Sequence, residues 1–234
     1  RLLGVASPES VASGQKAVAP LLGNIKWHQT PLPYNALCPV DDKTGRTCPA
    51  GCVATAMAQI IYYHRYPTRG TGSKTYSDRN YSFSVNFAEA TYNYNAMSDQ
   101  PAYNVANDEI AELLFHCGVS VETDYGPYGS SAFEGNVAIA LNKYFKYKPP
   151  AVRYYATYSP AGWKQMIAND LNNKRPILYG ALDPYEGPED VAAGHAFILD
   201  GQNGRDEYHL NFGWGGCSDG YYNLGLLNPT DCGD

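Results

Sequence analysis

The stretch that most constrains this chain is Thr47-Cys-Pro-Ala-Gly-Cys-Val-Ala-Thr-Ala-Met-Ala-Gln-Ile-Ile-Tyr-Tyr-His-Arg-Tyr-Pro67. A tight Pro/Gly turn feeds a helix that starts at Cys52. Val53, Ala54, Ala56, Met57, Ala58, Ile60 and Ile61 leave that helix apolar on nearly every side, as expected of one buried in a core. Pro67 stops it, because the residue before a proline is pushed out of helical geometry. A cysteine in the first turn faces unpaired backbone N–H groups and the positive end of the helix dipole. Both favour thiolate, so the pKa of Cys52 is expected to be lowered. A sulfur placed in this way raises the question of which group elsewhere in the chain partners it.

The chain has 234 residues, enough for one large domain or two small ones with a substantial core. Its net charge is −6 and no run of Lys or Arg suggests nucleic acid or an anionic membrane. No apolar run approaches the roughly 20 residues needed to span a bilayer. The N-terminus lacks the charged-then-apolar pattern of a signal peptide, so the chain reads as a mature form. The composition of 21 Tyr, 23 Gly and 16 Pro favours a loop-rich, strand-rich exterior over a helical bundle.

Six cysteines are present: Cys38, Cys48, Cys52, Cys117, Cys217 and Cys232. Cys38 and Cys48 bracket one polar loop, and Cys217 and Cys232 bracket another. Each pair is expected to form a disulfide in an oxidising compartment, although sequence does not fix connectivity. No pair shows the short spacing of a zinc knuckle, so neither a metal nor another cofactor is expected.

Residues 1–19 are small and polar and read as a flexible lead-in or the remnant of a pro-segment. Residues 20–234 read as one domain of two subdomains, about 20–150 mainly helical and about 151–234 mainly strands. Thr68 to Tyr94 alternates partially and suggests a surface hairpin. Asn107 or Asp108 caps a helix through Ile110, Leu113, Leu114 and Cys117, with Gly118 as its stop. A further helix is expected from Phe133 to Tyr144. Ser159-Pro160 opens another through Trp163, Ile167 and Leu171. Short strands follow at Ile177 to Leu182, His195 to Asp200, Glu207 to Phe212 and Tyr221 to Leu224. Helices first and strands later argue for an α+β protein of two halves.

A cysteine nucleophile needs a base, usually histidine, and a group that orients the base. His64 shares the Cys52 helix but lies roughly 18 Å along it at about 1.5 Å per residue, too far to act. His116 ends an amphipathic helix beside its core face and reads as structural. His28, in the irregular lead-in to Cys52, stays open. His195 sits between very small neighbours in Ala193-Gly194-His195-Ala196-Phe197 at the start of a strand, which leaves room for a substrate backbone. His209 shares one face of the next strand with Glu207 and Asn211. If the two strands pair around Gly201-Gln-Asn-Gly204, Asn211 can reach the His195 ring and orient it. His195 is the favoured base and His209 the alternative.

Four segments in order resemble the streptopain-type cysteine peptidases, peptidase family C10. They are Gly51-Cys-Val-Ala-Thr-Ala-Met-Ala-Gln-Ile, Asp124-Tyr-Gly-Pro127, Gly194-His-Ala-Phe-Ile-Leu-Asp-Gly201 and His209-Leu-Asn-Phe-Gly-Trp-Gly-Gly216. The resemblance runs from about Val18 to Pro229. It implies a papain-like fold, with a helical half packed against an antiparallel strand-rich half and the active-site cleft between them. It also implies a Cys-His dyad and a secreted zymogen cleaved to its active form. Carried over by position, Cys52 is the nucleophile, His195 the base, Asn211 the orienting group and Gln29 the oxyanion-hole glutamine. Ser131 and Gly194 fall where the family lines its substrate cleft. Ala193, Met57 and Trp214 are further expected substrate contacts. Two departures stand out. Phe212 follows Asn211 where the family commonly has tryptophan. The family's glycine-rich loop and closing strand do not occur before Asp234; they form a separately cleaved C-terminal segment or lie outside this chain.

The expected function is a secreted or exported bacterial cysteine endopeptidase acting on protein or peptide substrates, with its own propeptide as inhibitor. The alternatives are a papain-fold acyl transferase or amidase with the same dyad, and a catalytically inactive binding module.

Overall fold

The computed structural model describes residues 15–78, 81–183, 193–225, 227 and 229. The first half carries α1 (Cys52–His64), a hairpin of β1 (Ser73–Asp78) and β2 (Tyr81–Asn86), α2 (Asp108–Ser120) and α3 (Gly135–Phe145). The second half adds α4 (Pro160–Asn172) and a four-stranded antiparallel sheet. Its strands are β3 (Ile177–Asp183), β4 (Ala193–Gln202), β5 (Tyr208–Asn211) and β6 (Gly220–Tyr222), in that spatial order. This is the α+β arrangement expected from helical periodicity followed by short alternating strands.

The helix starts follow local chemistry. Asn107 accepts a hydrogen bond from the Ile110 amide at 3.1 Å, and Ser159 accepts one from Gly162 at 3.1 Å ahead of Pro160. Each satisfies a backbone donor that the first helical turn leaves open. Gly118 does not stop α2, which continues to Ser120. A Cβ at Gly118 would collide with the Tyr125 hydroxyl, so this glycine permits close packing, and the chain turns out at Glu122, where φ is +60°.

Two apolar cores divide the molecule. The larger gathers α1, α2, α3 and the hairpin around Trp27, Met57, Ile61, Phe87, Leu114 and Phe145. The smaller joins α4 to the sheet through Trp163, Leu171, Phe197, Leu199, Leu210 and Phe212. β4 faces both. Ala196 and Ile198 belong to the first core and Phe197 and Leu199 to the second, as the two-residue period of a strand requires.

The expected lead-in of 1–19 is corrected where it can be seen. Val18 and Gln202 exchange backbone hydrogen bonds at 2.8 and 2.9 Å, and Gln202 Nε2 donates to Lys16 O at 2.8 Å. Residues 15–19 are thus an extra strap on β4, while 1–14 lie outside the described residues. The Cys38–Cys48 bridge is also corrected. Cys38 is a buried free thiol, and burial foremost, then the neighbouring Cys48, pushes it up to about 12. Cys217 is disulfide-bonded; Cys232, its expected partner, lies outside the described residues. No described helix is long and apolar enough to cross a membrane.

Candidate active site

Gly51 sets up the first turn of α1. Its φ of 90° and ψ of 148° lie in a region that only glycine occupies readily. A Cβ there would stand 3.0 Å from Ser130 O, so the 130–131 loop lies directly against the residue before the nucleophile. Ser131 itself is exposed and bridges to Asp124 through paired backbone hydrogen bonds of 2.8 and 3.0 Å. On the other flank, the Ala50 amide donates to Gln29 O at 3.0 Å. Gln29 is therefore held two residues from Cys52, with its side chain half-buried.

Cys52 lies where the halves meet, and the amide N–H of Ala196 on β4 points at its sulfur. That contact seats the thiol against the peptide that joins His195 to Ala196. The expected lowering of the Cys52 pKa is corrected. Burial raises it, and the N–H groups of Ala196, Val53 and Cys52 offset this only in part, while the charge of Glu134 adds to the rise. Desolvation disfavours the thiolate more than the helix terminus favours it. His195 is lowered, again by burial, with the Phe212 carbonyl acting in the opposite direction. Burial thus acts against charge on both groups, raising the thiol and lowering the imidazole.

The ring of His195 is fixed by a backbone group. Its Nε2 lies 2.8 Å from the Phe212 carbonyl oxygen. A carbonyl only accepts, so Nε2 carries the proton and Nδ1 keeps the lone pair. Trp214 covers the ring at 4.7 Å between centroids, and Phe212 lies nearly parallel to it at 6.1 Å. Trp214, expected as a substrate contact, thus shields the imidazole from water.

The expected Asn211–His195 contact is absent, and this is a second correction at the site. Asn211 is buried, and both ends of its amide are bonded to groups other than His195. Oδ1 accepts from Gln59 Nε2 at 3.1 Å and from the Gly213 amide at 3.0 Å, and Nδ2 donates to Ile25 O at 3.0 Å. Phe212, expected to cover that contact, supplies the orienting oxygen instead. Its own amide donates to Asp219 Oδ1 at 3.0 Å. Burial pushes Asp219 up to about 6, against the Phe212 hydrogen bond and the charges of His209 and Lys26.

Met57 is corrected as a substrate contact. It is 1% exposed in the helical core, with Ser120 Oγ 3.9 Å from its sulfur. Five residues along a helix turn it about 140° away from Cys52. Gly194 is exposed and precedes His195, and Ala193 pairs with Asp183 at the end of the β3–β4 ladder.

His209, His28 and His116 are engaged elsewhere. His209 Nδ1 is 2.6 Å from Asp200 Oδ1. Its partner Gly201 is six residues along β4 from His195, roughly 20 Å at the rise of a strand. His28 Nδ1 accepts from the Gln29 and Thr30 amides at 2.8 and 3.1 Å. His116 bonds the Tyr92 hydroxyl at 3.0 Å in the core, and burial lowers it to about 4.

Sequence reasoning missed Glu134, whose carboxyl lies 3.4 Å from where a Cβ on Gly180 would sit. It also missed Gln59 and Asp219. Gln59 carried a signal: it is a polar side chain in the apolar middle of the helix, two turns from Cys52 on the same face.

A helix-borne thiol packed against the strand that carries a histidine, in a seam between a helical and a sheet half, is the arrangement of the papain-like cysteine peptidases. The Peptidase C10 family matches residues 27–222, and this chain belongs to that streptopain-type family. It is 37% identical to streptopain of Streptococcus pyogenes over 221 residues, covering 86% of this chain and 54% of the relative. It is 32% identical to the thiol protease/hemagglutinin PrtT of Porphyromonas gingivalis over 97% of this chain and 26% of that protein. It thus spans about half and about a quarter of these relatives. Active interpain A cysteine protease of Prevotella intermedia superposes with a TM-score of 0.84 at 34% identity, covering 97% of this chain and 93% of that one. A prointerpain A fragment from the same organism gives 0.79 at 35% identity, over 97% and 70% of the two chains.

Proposed function

We propose that this chain is an exported bacterial cysteine endopeptidase, released from a zymogen, that cleaves peptide bonds through a Cys52 thioester. The observation that carries the reading is the His195–Phe212 hydrogen bond, which leaves Nδ1 free to accept a proton. Substrate binding displaces water from the seam. Nδ1 takes the thiol proton as Sγ attacks the scissile carbonyl carbon. The oxyanion is met by the Cys52 amide and the Gln29 side chain, an interaction of about 3 kcal/mol per donor in comparable sites. His195 then protonates the leaving amine as the C–N bond breaks. Water adds to the thioester with His195 again as base, which releases the carboxylic acid and restores the thiol. Ser131, Gly194 and Ala193 border the path of the substrate, and Phe133, 67% exposed on the same loop as Ser131, adds an apolar rim.

The disulfide at Cys217 supports export, because such bonds persist in oxidising compartments. A propeptide as inhibitor is supported by the prointerpain A likeness. Cys52→Ala should abolish cleavage of a quenched fluorescent peptide and end labelling by a thiol-directed epoxide; undiminished turnover in that variant would overturn the assignment. With casein, free primary amine without isopeptide cross-links marks hydrolysis, whereas cross-links mark acyl transfer. A folded protein that takes no label marks a binding module.

A further inference from the structure

Gln59 lies on α1 with no exposed surface. It is seven residues after Cys52, two turns along, and so on the same face of the helix. Its Oε1 accepts the Trp27 amide at 3.1 Å, and its Nε2 donates to Asn211 Oδ1 at 3.1 Å. The same oxygen of Asn211 accepts the amide N–H of Gly213 at 3.0 Å. That N–H and the Phe212 carbonyl belong to one peptide group, and the carbonyl receives Nε2–H of His195 at 2.8 Å. The line from the nucleophile helix to the catalytic imidazole is therefore continuous: Gln59 amide, Asn211 amide, Phe212–Gly213 peptide, His195 ring.

Packing gives this line little freedom. Gly213 has φ of +72°, and a Cβ there would stand 3.1 Å from Thr55 Cγ2 and 4.0 Å from Gln59 Nε2, so the peptide rests on α1 itself. Asn211 Nδ2 is held by Ile25 O at 3.0 Å, and the Trp27 carbonyl accepts the Gly215 amide at 3.0 Å. A primary amide suits position 59 because it donates and accepts at once, and both bonds are buried.

We propose that Gln59 is a positioning residue for His195, acting through Asn211 and the peptide group whose carbonyl holds the ring. It sets the tilt and tautomer of the imidazole from the helix that carries the thiol, so nucleophile and base share one reference. This role rests on the peptidase reading for its catalytic meaning, but the ring geometry can be read without turnover.

The test is Gln59→Met, which keeps the volume of the side chain and removes both hydrogen bonds. Three quantities are measured on folded protein: kcat and KM on a fluorogenic peptide, the NMR signal of the His195 Nε2 proton, and alkylation of Cys52 by iodoacetamide at alkaline pH. Alkylation of a preformed thiolate needs no histidine, so it reports an intact, accessible nucleophile. The expected result is a kcat at least tenfold lower with KM within about twofold. The ring-proton signal broadens or is lost, and the alkylation rate stays at the parental value. A kcat and ring signal like those of the parent would overturn the proposal, as would a loss of hydrolysis matched by an equal loss of alkylation. If the methionine variant does not fold, Gln59→Glu is read in the same way above the carboxyl's own pKa, where it keeps the acceptor for Trp27 and withdraws the donor from Asn211. If the parent shows no hydrolysis, the peptidase reading fails, while the ring signal still decides the role of Gln59.

Discussion

Glu134 is the residue whose charge acts most directly on the nucleophile. Its carboxyl sits over Gly180 on β3, directly across from Ala196, and it raises the Cys52 pKa. A negative charge disfavours the thiolate, so removing it lowers the thiol pKa. Glu134→Gln should therefore move the midpoint of Cys52 alkylation against pH downward by several tenths of a unit. An unchanged or raised midpoint would show that the carboxylate is screened from the sulfur. Cys52 and His195 stood out as candidates in the sequence because a thiol at a helix start and a histidine among tiny neighbours are unusual combinations. The partner of the histidine did not, because it is a main-chain carbonyl and no side-chain letter encodes it. Alternation placed Asn211 on the strand beside β4, yet three buried groups claim its amide before the ring can. Met57 failed for a similar reason: its letter fits a pocket wall and a core equally, and helix phase decides.

At the scale of elements, the turn into α1 couples Cys52 to the 130–131 loop. Gly51→Ala meets both a forbidden backbone region and the Ser130 carbonyl at 3.0 Å. A loss of roughly 2–3 kcal/mol is expected from the backbone strain with the collision added, measured by urea denaturation. Peptide hydrolysis should fall by more than alkaline alkylation of Cys52, because the 130–131 loop is displaced along with the turn. A variant as stable and active as the parent would mean that the loop yields without cost. Helix starts were well marked in the sequence, since Asn107 and Ser159 cap as their chemistry suggests. Helix ends were less so. Gly118 looks like a stop but serves a close approach by Tyr125, and local sequence carries no trace of a residue that arrives from outside the helix. The expected Cys38–Cys48 bridge failed on the same ground, since spacing along the chain says nothing of how buried thiols are disposed.

Over the whole molecule, the segment before α1 is fastened to the far side of the sheet. Asp200, with no exposed surface, accepts the Leu22 amide at 2.9 Å on one oxygen and faces His209 Nδ1 at 2.6 Å with the other. Its backbone carbonyl takes the Leu21 amide at 2.9 Å. Asp200→Ala leaves both side-chain partners unsatisfied and should cost about 3 kcal/mol or more. The Leu22 amide should lose its protection in hydrogen exchange well before the amides of α1. If Leu22 stays as protected as in the parent, Asp200 does not hold this segment. The reading of 1–19 as a flexible lead-in missed the Val18–Gln202 bridge because its partner lies near the other end of the chain. Finally, β4 is a wall common to both cores, with Ala196 and Ile198 on one side and Phe197 and Leu199 on the other. The thiol belongs to the first core and the imidazole to the strand between them, so neither half alone can assemble the dyad. On the proposed peptidase reading, a chain in which only one half has formed holds no assembled dyad and so has no means of cleaving a neighbour.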